Sequence, residues 1–279
     1  MTDELRLLAV LAHPDDESLG LGGALARYAA EGVGTYLVTA TRGERGRIGT
    51  ERPGPEVVAP VREAELRRAA SVLGVREVTL LGYHDGDLDR VEAARAVADI
   101  AGHVRRIRPQ VVVTFGADGA YGHPDHIAIS QLTGAALVAA ADPAFAAGDD
   151  GRAAWPAHRV AKLYWMVMTA AGWAAYQEAF GELVARVDGQ ERRATAWPDW
   201  AVTTVVDARA HWQTVWRAVR CHQSQVSGYG RLAHFPLERQ VEIWGSLSFY
   251  RVWSAVGASR EREDDLFAGL RPRSAPRGA

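Results

Sequence analysis

Leu7-Leu8-Ala9-Val10-Leu11-Ala12-His13-Pro14-Asp15-Asp16-Glu17 is the stretch on which the fold turns. A near-continuous apolar run from Leu5 to Ala12, broken only by Arg6, reads as a strand covered on both faces, the signature of a central strand in a parallel sheet. Four polar residues and a proline follow where that strand must end. A glycine-bearing helix is then expected over Leu19–Ala30, with Gly32 as its C-terminal cap. The pattern returns far downstream. Val111-Val112-Val113-Thr114-Phe115 is a second buried strand, and it leads to His123-Pro124-Asp125-His126 ahead of an alanine-rich helical segment.

Proline is at home in the first turn of a helix, so each His-Pro-Asp-X reads as a cap running into a helix, where residues three apart face the same way. This pairs His13 with Asp16 and His123 with His126. Three imidazole or carboxylate donors with one open position suit a catalytic zinc. The expected ligands are His13, Asp16 and His126 around one zinc per chain; iron(II) or cobalt(II) suits the same donors. Asp15 is then placed to act as general base on water. His123 is placed to stabilise an oxyanion or to protonate a leaving nitrogen. One such tripeptide could be merely a helix start, since Asp15, Asp16 and Glu17 would all suit a helix N-terminus. Two copies at the ends of two apolar strands favour chemistry.

The stretches Ala12-His13-Pro14-Asp15-Asp16-Glu17 and Gly122-His123-Pro124-Asp125-His126 resemble the paired motifs of the zinc-dependent deacetylases typified by N-acetylglucosaminyl-phosphatidylinositol deacetylases. That family also holds the deacetylase and the amidase of mycothiol metabolism. The resemblance runs from about residue 5 to 225. It implies a Rossmann-like α/β fold, hydrolysis of an acetamide on a glucosamine unit, and the roles just given for His13, Asp15, Asp16, His123 and His126. It also implies substrate contacts from Glu44, Arg62, Asp85 and Tyr121. Asp125 is expected to orient a neighbouring histidine. His222, in His222-Gln223-Ser224-Gln225, is expected to stand behind the site.

The rest of the chain fits that frame. Tyr36–Thr41 and Glu77–Tyr83 read as further strands, each ending in a polar loop of the kind that carries ligands in open α/β sheets. A helix is expected from Pro60 to about Leu73, capped by Gly74, with residues 47–60 a loop; Val91–Ile107 reads as an amphipathic helix. A strand over Leu163–Met168 is followed by a helical segment to about Val187, then a strand at Ala201–Val206 and a helix over Ala208–Gln223. The predicted architecture is a three-layer α/β fold: a mostly parallel sheet, helices on both faces, and an elaborated C-terminal part with Trp244, Phe249, Tyr250 and Trp253. That aromatic part reads as core or as a homo-oligomer interface. Residues 1–257 are expected to form one domain, and 258–279, charged and then rich in Pro, Arg and Gly, a disordered tail.

Composition excludes several function classes. A net charge of −2 over 279 residues gives no general affinity for nucleic acid. One cysteine, Cys221, forbids an internal disulfide and fits a cytoplasmic protein. No apolar stretch reaches membrane-spanning length. Glycines 20, 22 and 23 do not form a dinucleotide-binding pattern and are read as close helix packing. The expected function is removal of an N-acetyl group from an N-acetylglucosamine-containing small molecule. The alternatives are an amidase cleaving a larger acyl group from a mycothiol-type conjugate and, from another class, a non-catalytic nucleotide-binding module.

Overall fold

The computed structural model describes residues 4–146, 155–225, 235–257 and 261–271. In chain order its elements are β1 (Arg6–Leu11), α1 (Asp16–Leu19), α2 (Gly22–Ala30), β2 (Gly34–Thr41), α3 (Pro55–Val72), β3 (Glu77–Tyr83), α4 (Ala93–Ile107), β4 (Val111–Phe115), α5 (Gly119–Gly122) and α6 (Pro124–Ala141). They continue with β5 (Lys162–Val167), α7 (Ala170–Phe180), β6 (Val184–Val187), β7 (Gln190–Arg193), β8 (Thr204–Asp207), α8 (Trp212–Val219), α9 (Leu237–Gly245) and β9 (Ser246–Ser254).

Seven strands form one sheet in the order β3-β2-β1-β4-β5-β9-β8. The first five are parallel, while β9 runs antiparallel to both β5 and β8. Leu7 through Ala12 are fully buried, as a continuous apolar run demands of a central strand. Helices cover both faces: α4 packs on α6, and α8 packs on α2, α3 and α9. From β1 the chain steps outward through β2 to β3, then returns to β4 on the other side of β1. That reversal leaves a crevice outside the carboxyl ends of β1 and β4, the place where open α/β sheets bind ligands. Both His-Pro-Asp motifs sit there.

Several expectations need correction. The helix foreseen over Leu19–Ala30 is two helices, broken at Gly20 and Leu21. A Cβ on Gly20 would meet the Asp16 carbonyl oxygen at 3.2 Å. The helix foreseen from Pro60 starts earlier, because Pro55 takes the first-turn position and Pro60 is carried inside. Residues 184–187 are a strand rather than the end of a helix. Asp188 and Gly189, with φ of 51° and 77°, close a tight hairpin between β6 and β7. The supposed tail is ordered at residues 261–271: Glu263 bridges to Thr204 on β8, and Leu266 and Phe267 are fully buried in the core. Residues 258–260 and 272–279 lie outside the described residues. Gly32 and Gly74 take the positive φ that capping requires.

Candidate metal centre and active site

The two motifs start differently. In the second, His123 caps α6 and Pro124 is its first residue; His123 Nδ1 accepts the Asp125 N–H at 3.2 Å. In the first, the helix does not begin at Pro14. Asp15 takes φ 101°, a left-handed conformation that L residues avoid, and α1 starts only at Asp16. That kink folds Asp16 back on the strand end, where its Oδ2 accepts the N–H groups of Ala12 and His13 at 3.2 and 2.7 Å. The loop before His123 is bent as sharply, with positive φ at Gly119, Ala120 and Gly122.

Both bends aim donors at one point. His13 Nδ1 lies 3.2 Å from His126 Nε2 and 3.8 Å from Asp16 Oδ2, while His126 Nε2 lies 3.6 Å from Asp16 Oδ1. Tetrahedral zinc with bonds of about 2.0–2.2 Å separates its ligand atoms by about 3.3–3.6 Å; the triangle, to which Asp16 offers a different oxygen toward each histidine, has edges near that spacing and suits a small divalent cation. The other nitrogen of His13 supports the fit. Nε2 lies 3.0 Å from Asp125 Oδ2 and 3.2 Å from Asp85 Oδ1, and a carboxylate only accepts. Nε2 therefore carries a proton, which leaves Nδ1 as the nitrogen of His13 that a cation in the triangle would take. Burial alone would lower the His13 pKa, but Asp125, Asp85 and Asp16 outweigh it and raise it to about 10. This is a place that draws in positive charge. Burial pushes Asp16 up to about 7, against the pull of His13. Phe115 stacks on the His126 ring at 3.9 Å and fixes its plane.

A second three-donor group, His13 with Asp85 and Asp125, is a hydrogen-bonding cradle. Asp125 is fully buried; its Oδ2 also accepts from Gly86 N and its Oδ1 from Leu88 N. Asp85 Oδ2 accepts from Arg45 N, and its pKa falls to about 2 because the hydrogen bond and charge of His13 overcome burial. The histidine that Asp125 contacts is thus His13, from the other motif. His123 forms another three-donor group with His13 and His126, their ligand nitrogens lying within 4.8 Å of one another. Burial, then the charge on His13, lowers its pKa to about 4. With Nδ1 accepting, the neutral ring carries its proton on Nε2.

The remaining sequence-predicted residues divide. Tyr121 meets the His123 and His126 rings edge-on at 5.8 and 5.5 Å, and burial and the surrounding carboxylates push its phenol pKa up. Glu44 accepts the Asp85 N–H through Oε1 at 2.9 Å, and its buried Oε2 has no hydrogen-bond partner among the described residues. Arg62 is not open toward substrate. It is 5% exposed, and its guanidinium donates to the carbonyls of Gly43 and Pro14 and to Asp15 Oδ2. Its position behind Asp15 makes it a support for that carboxylate. His222 Nε2 lies 2.7 Å from Glu17 Oε1.

Sequence reasoning missed Glu17, whose fully buried carboxylate looked like an ordinary first-turn acid, and Tyr176 on α7. Burial and the charge of Asp15 raise the Tyr176 phenol pKa. Tyr176 also lines a cavity of about 750 Å³ beside the centre, together with Ser18, Phe115, Met166, Trp173 and Trp244. No local pattern marks either residue, because their partners lie far away in sequence.

Residues 8–137 match the family described as "PIG-L: GlcNAc-PI de-N-acetylase". A 1D-myo-inositol 2-acetamido-2-deoxy-alpha-D-glucopyranoside deacetylase of Geodermatophilus obscurus is 36% identical over 97% of this chain and 99% of its own. Two solved structures share the fold at lower identity. GalB, the 4-carboxy-2-hydroxymuconate hydratase of Pseudomonas putida KT2440, aligns with TM-score 0.65 and 20% identity over 91% of this chain and 99% of its own. The N,N'-diacetylchitobiose deacetylase of Pyrococcus horikoshii aligns with TM-score 0.63 and 19% identity over 90% and 84%. One fold thus serves a hydratase and a deacetylase, so the fold alone does not choose the reaction. The sequence relationship across nearly the whole chain does choose a family: this protein belongs to the GlcNAc-PI de-N-acetylase (PIG-L) family.

Proposed function

We propose that the protein is a metal-dependent hydrolase that removes the acetyl group from an N-acetylglucosamine unit, with an inositol-linked glucosaminide of the kind named for its relative as the favoured substrate. The observation that carries this reading is the donor triangle of His13, Asp16 and His126, backed by Asp125 and Asp85 and flanked by the carboxylate of Asp15. Zinc is the proposed metal, and iron(II) or cobalt(II) suits the same donors. Bound there, it would polarise the amide carbonyl and acidify water.

The chain's own residues do the rest. Asp15, steadied by Arg62, accepts a proton from the attacking water. His123 donates from Nε2 to the carbonyl oxygen as that oxygen gains negative charge. With its pKa lowered to about 4, His123 is a neutral donor at neutral pH. Asp15 then returns the captured proton to the departing amine. Asp85 and Glu44, whose Oε2 has no hydrogen-bond partner among the described residues, are the proposed acceptors for sugar hydroxyls, and Tyr121 the proposed donor to the reacting oxygen.

Among the described residues no helix is long and apolar enough to cross a membrane. We propose a small-molecule amino sugar as the substrate, of the kind named for the relative, and the cytoplasm as the setting. The test is acetate release by zinc-loaded protein from free, inositol-linked and glycopeptide- or lipid-linked N-acetylglucosamine, with a chelator control. Chelator-sensitive release from the inositol-linked form is the expected result. Zinc-loaded protein that releases acetate from none of them would overturn the deacetylase reading in favour of an amidase for larger acyl groups.

A further inference from the structure

We propose that Glu17 and His222 are positioning residues, and that His222-Gln223-Ser224-Gln225 is a clamp that locks Asp15 in its proton-accepting pose. The proposal rests on Asp15 being the base.

Asp15 needs to be held. A left-handed backbone at a non-glycine residue persists only where its surroundings impose it, and Asp15 has φ 101°. Its N–H donates to Glu17 Oε2 at 3.0 Å. The other oxygen of Glu17 accepts from Ser18 Oγ at 2.5 Å and lies 2.7 Å from His222 Nε2. Glu17, Ser18 and His222 are all fully buried. A carboxylate so enclosed is held in one orientation by its imidazole partner, and through Oε2 it transmits that orientation to the Asp15 backbone.

The stretch around His222 is itself anchored at several points. Ser224 donates from N and Oγ to the two oxygens of Glu65 on α3, at 2.7 and 2.6 Å. Gly49 N donates to the Ser224 carbonyl, and Gln225 Nε2 donates to the Arg47 carbonyl, both at 2.8 Å. One turn before Glu65 on the same helix stands Arg62, whose guanidinium grips Pro14, Gly43 and the Asp15 carboxylate. The short stretch after α8 therefore ties α1, α3 and the loop that carries Glu44 into one frame. Asp15 is held at its backbone from one side and at its carboxylate from the other. Neither Glu17 nor His222 belongs to the donor triangle; each acts through Asp15.

A buried Glu–His pair could serve stability alone, and the experiment separates the two roles. Glu17→Ala, Glu17→Gln and His222→Gln are made in the parent and in an Asp15→Asn background, and kcat, KM and zinc content are measured by acetate release and metal analysis. Glu17→Ala and His222→Gln should lower kcat about 100-fold, as small displacements of a reacting group do. KM and zinc content should stay within about twofold. Glu17→Gln keeps an oxygen for the Asp15 N–H and should recover most of the loss. In the Asp15→Asn background each change should cost no more than about a further twofold, because the group being positioned is gone. Equal fold-losses in both backgrounds, or folded, zinc-loaded Glu17→Ala and His222→Gln with parental kcat, would overturn the clamp and leave the base assignment standing. Should Glu17→Ala fail to fold, Glu17→Gln and His222→Gln carry the same comparison. Parental turnover in Asp15→Asn itself would sink the base assignment and this proposal with it.

Discussion

Asp15 holds a backbone conformation that costs an L residue about 1–3 kcal/mol, and it does so beside three groups that converge on a cation-sized space. Replacing it with Asn keeps the shape and removes the proton acceptor. Asp15→Asn should bind zinc normally and lose about 10²–10⁴-fold in turnover, read by metal analysis alongside acetate release. Asp125 acts one bond further out, fixing the tautomer of His13 while satisfying Gly86 N and Leu88 N. Asp125→Ala should weaken zinc about 10–100-fold, measured by competition with a chelator. These residues were legible in the sequence because proline and the spacing of three announce a turn that gathers side chains. Arg62 was only half legible. The family resemblance singled it out, but its carbonyl partners at Pro14 and Gly43 exist only after folding. Glu17 was not legible at all, since its partner His222 is 205 residues away.

At the scale of elements, the glycines after the first motif do what close packing asks. A Cβ on Gly23 would stand 2.7 Å from Leu247 Cδ1 and 2.8 Å from both Ala208 Cβ and the Trp244 carbonyl oxygen. Gly23→Val should therefore destabilise the fold by about 1–3 kcal/mol, seen as a lower denaturation midpoint with an unchanged slope. The parallel strands were legible because each is a run of apolar residues bounded by turn formers. Helix starts were less so: Pro55 and Pro60 both qualify as first-turn residues, and only packing chooses between them. The β6–β7 hairpin escaped notice because its strands are short, and β7 is exposed along its length.

Across the whole molecule, the C-terminal segment closes the sheet that the first half builds. Lys162 on β5 is fully buried and donates to Glu263 Oε1 at 2.9 Å; Tyr164 donates to Glu263 Oε2, and Arg251 on β9 pairs with the same carboxylate. Glu263→Ala would strand a buried ammonium and should cost about 3–5 kcal/mol, measured by chemical denaturation. Burial alone would raise the Glu263 pKa, but Tyr164 and Lys162 bring it below its ordinary 4.5. A lowered carboxylate pKa means the folded state binds fewer protons than the unfolded one. The stabilisation is therefore complete above pH 4.5 and is lost as acid carries the pH down through the folded value. Glu263→Gln should flatten that acid limb in a melting series; an unchanged limb would put the pH sensitivity elsewhere. Composition hid this strap, since Leu266 and Phe267 are two apolar residues in a charged stretch with no period to betray them.

The clamp behind Asp15 also sets a calendar for the nascent chain. His13, Asp16 and His126 have all been synthesised before the midpoint of the chain, but His222 follows almost a hundred residues after His126. At about 5–20 residues per second that is a delay of roughly 5–20 s on the ribosome. The proposed metal donors exist before the residue proposed to lock Asp15, so a ribosome-tethered chain would complete the donor set before it could complete the clamp.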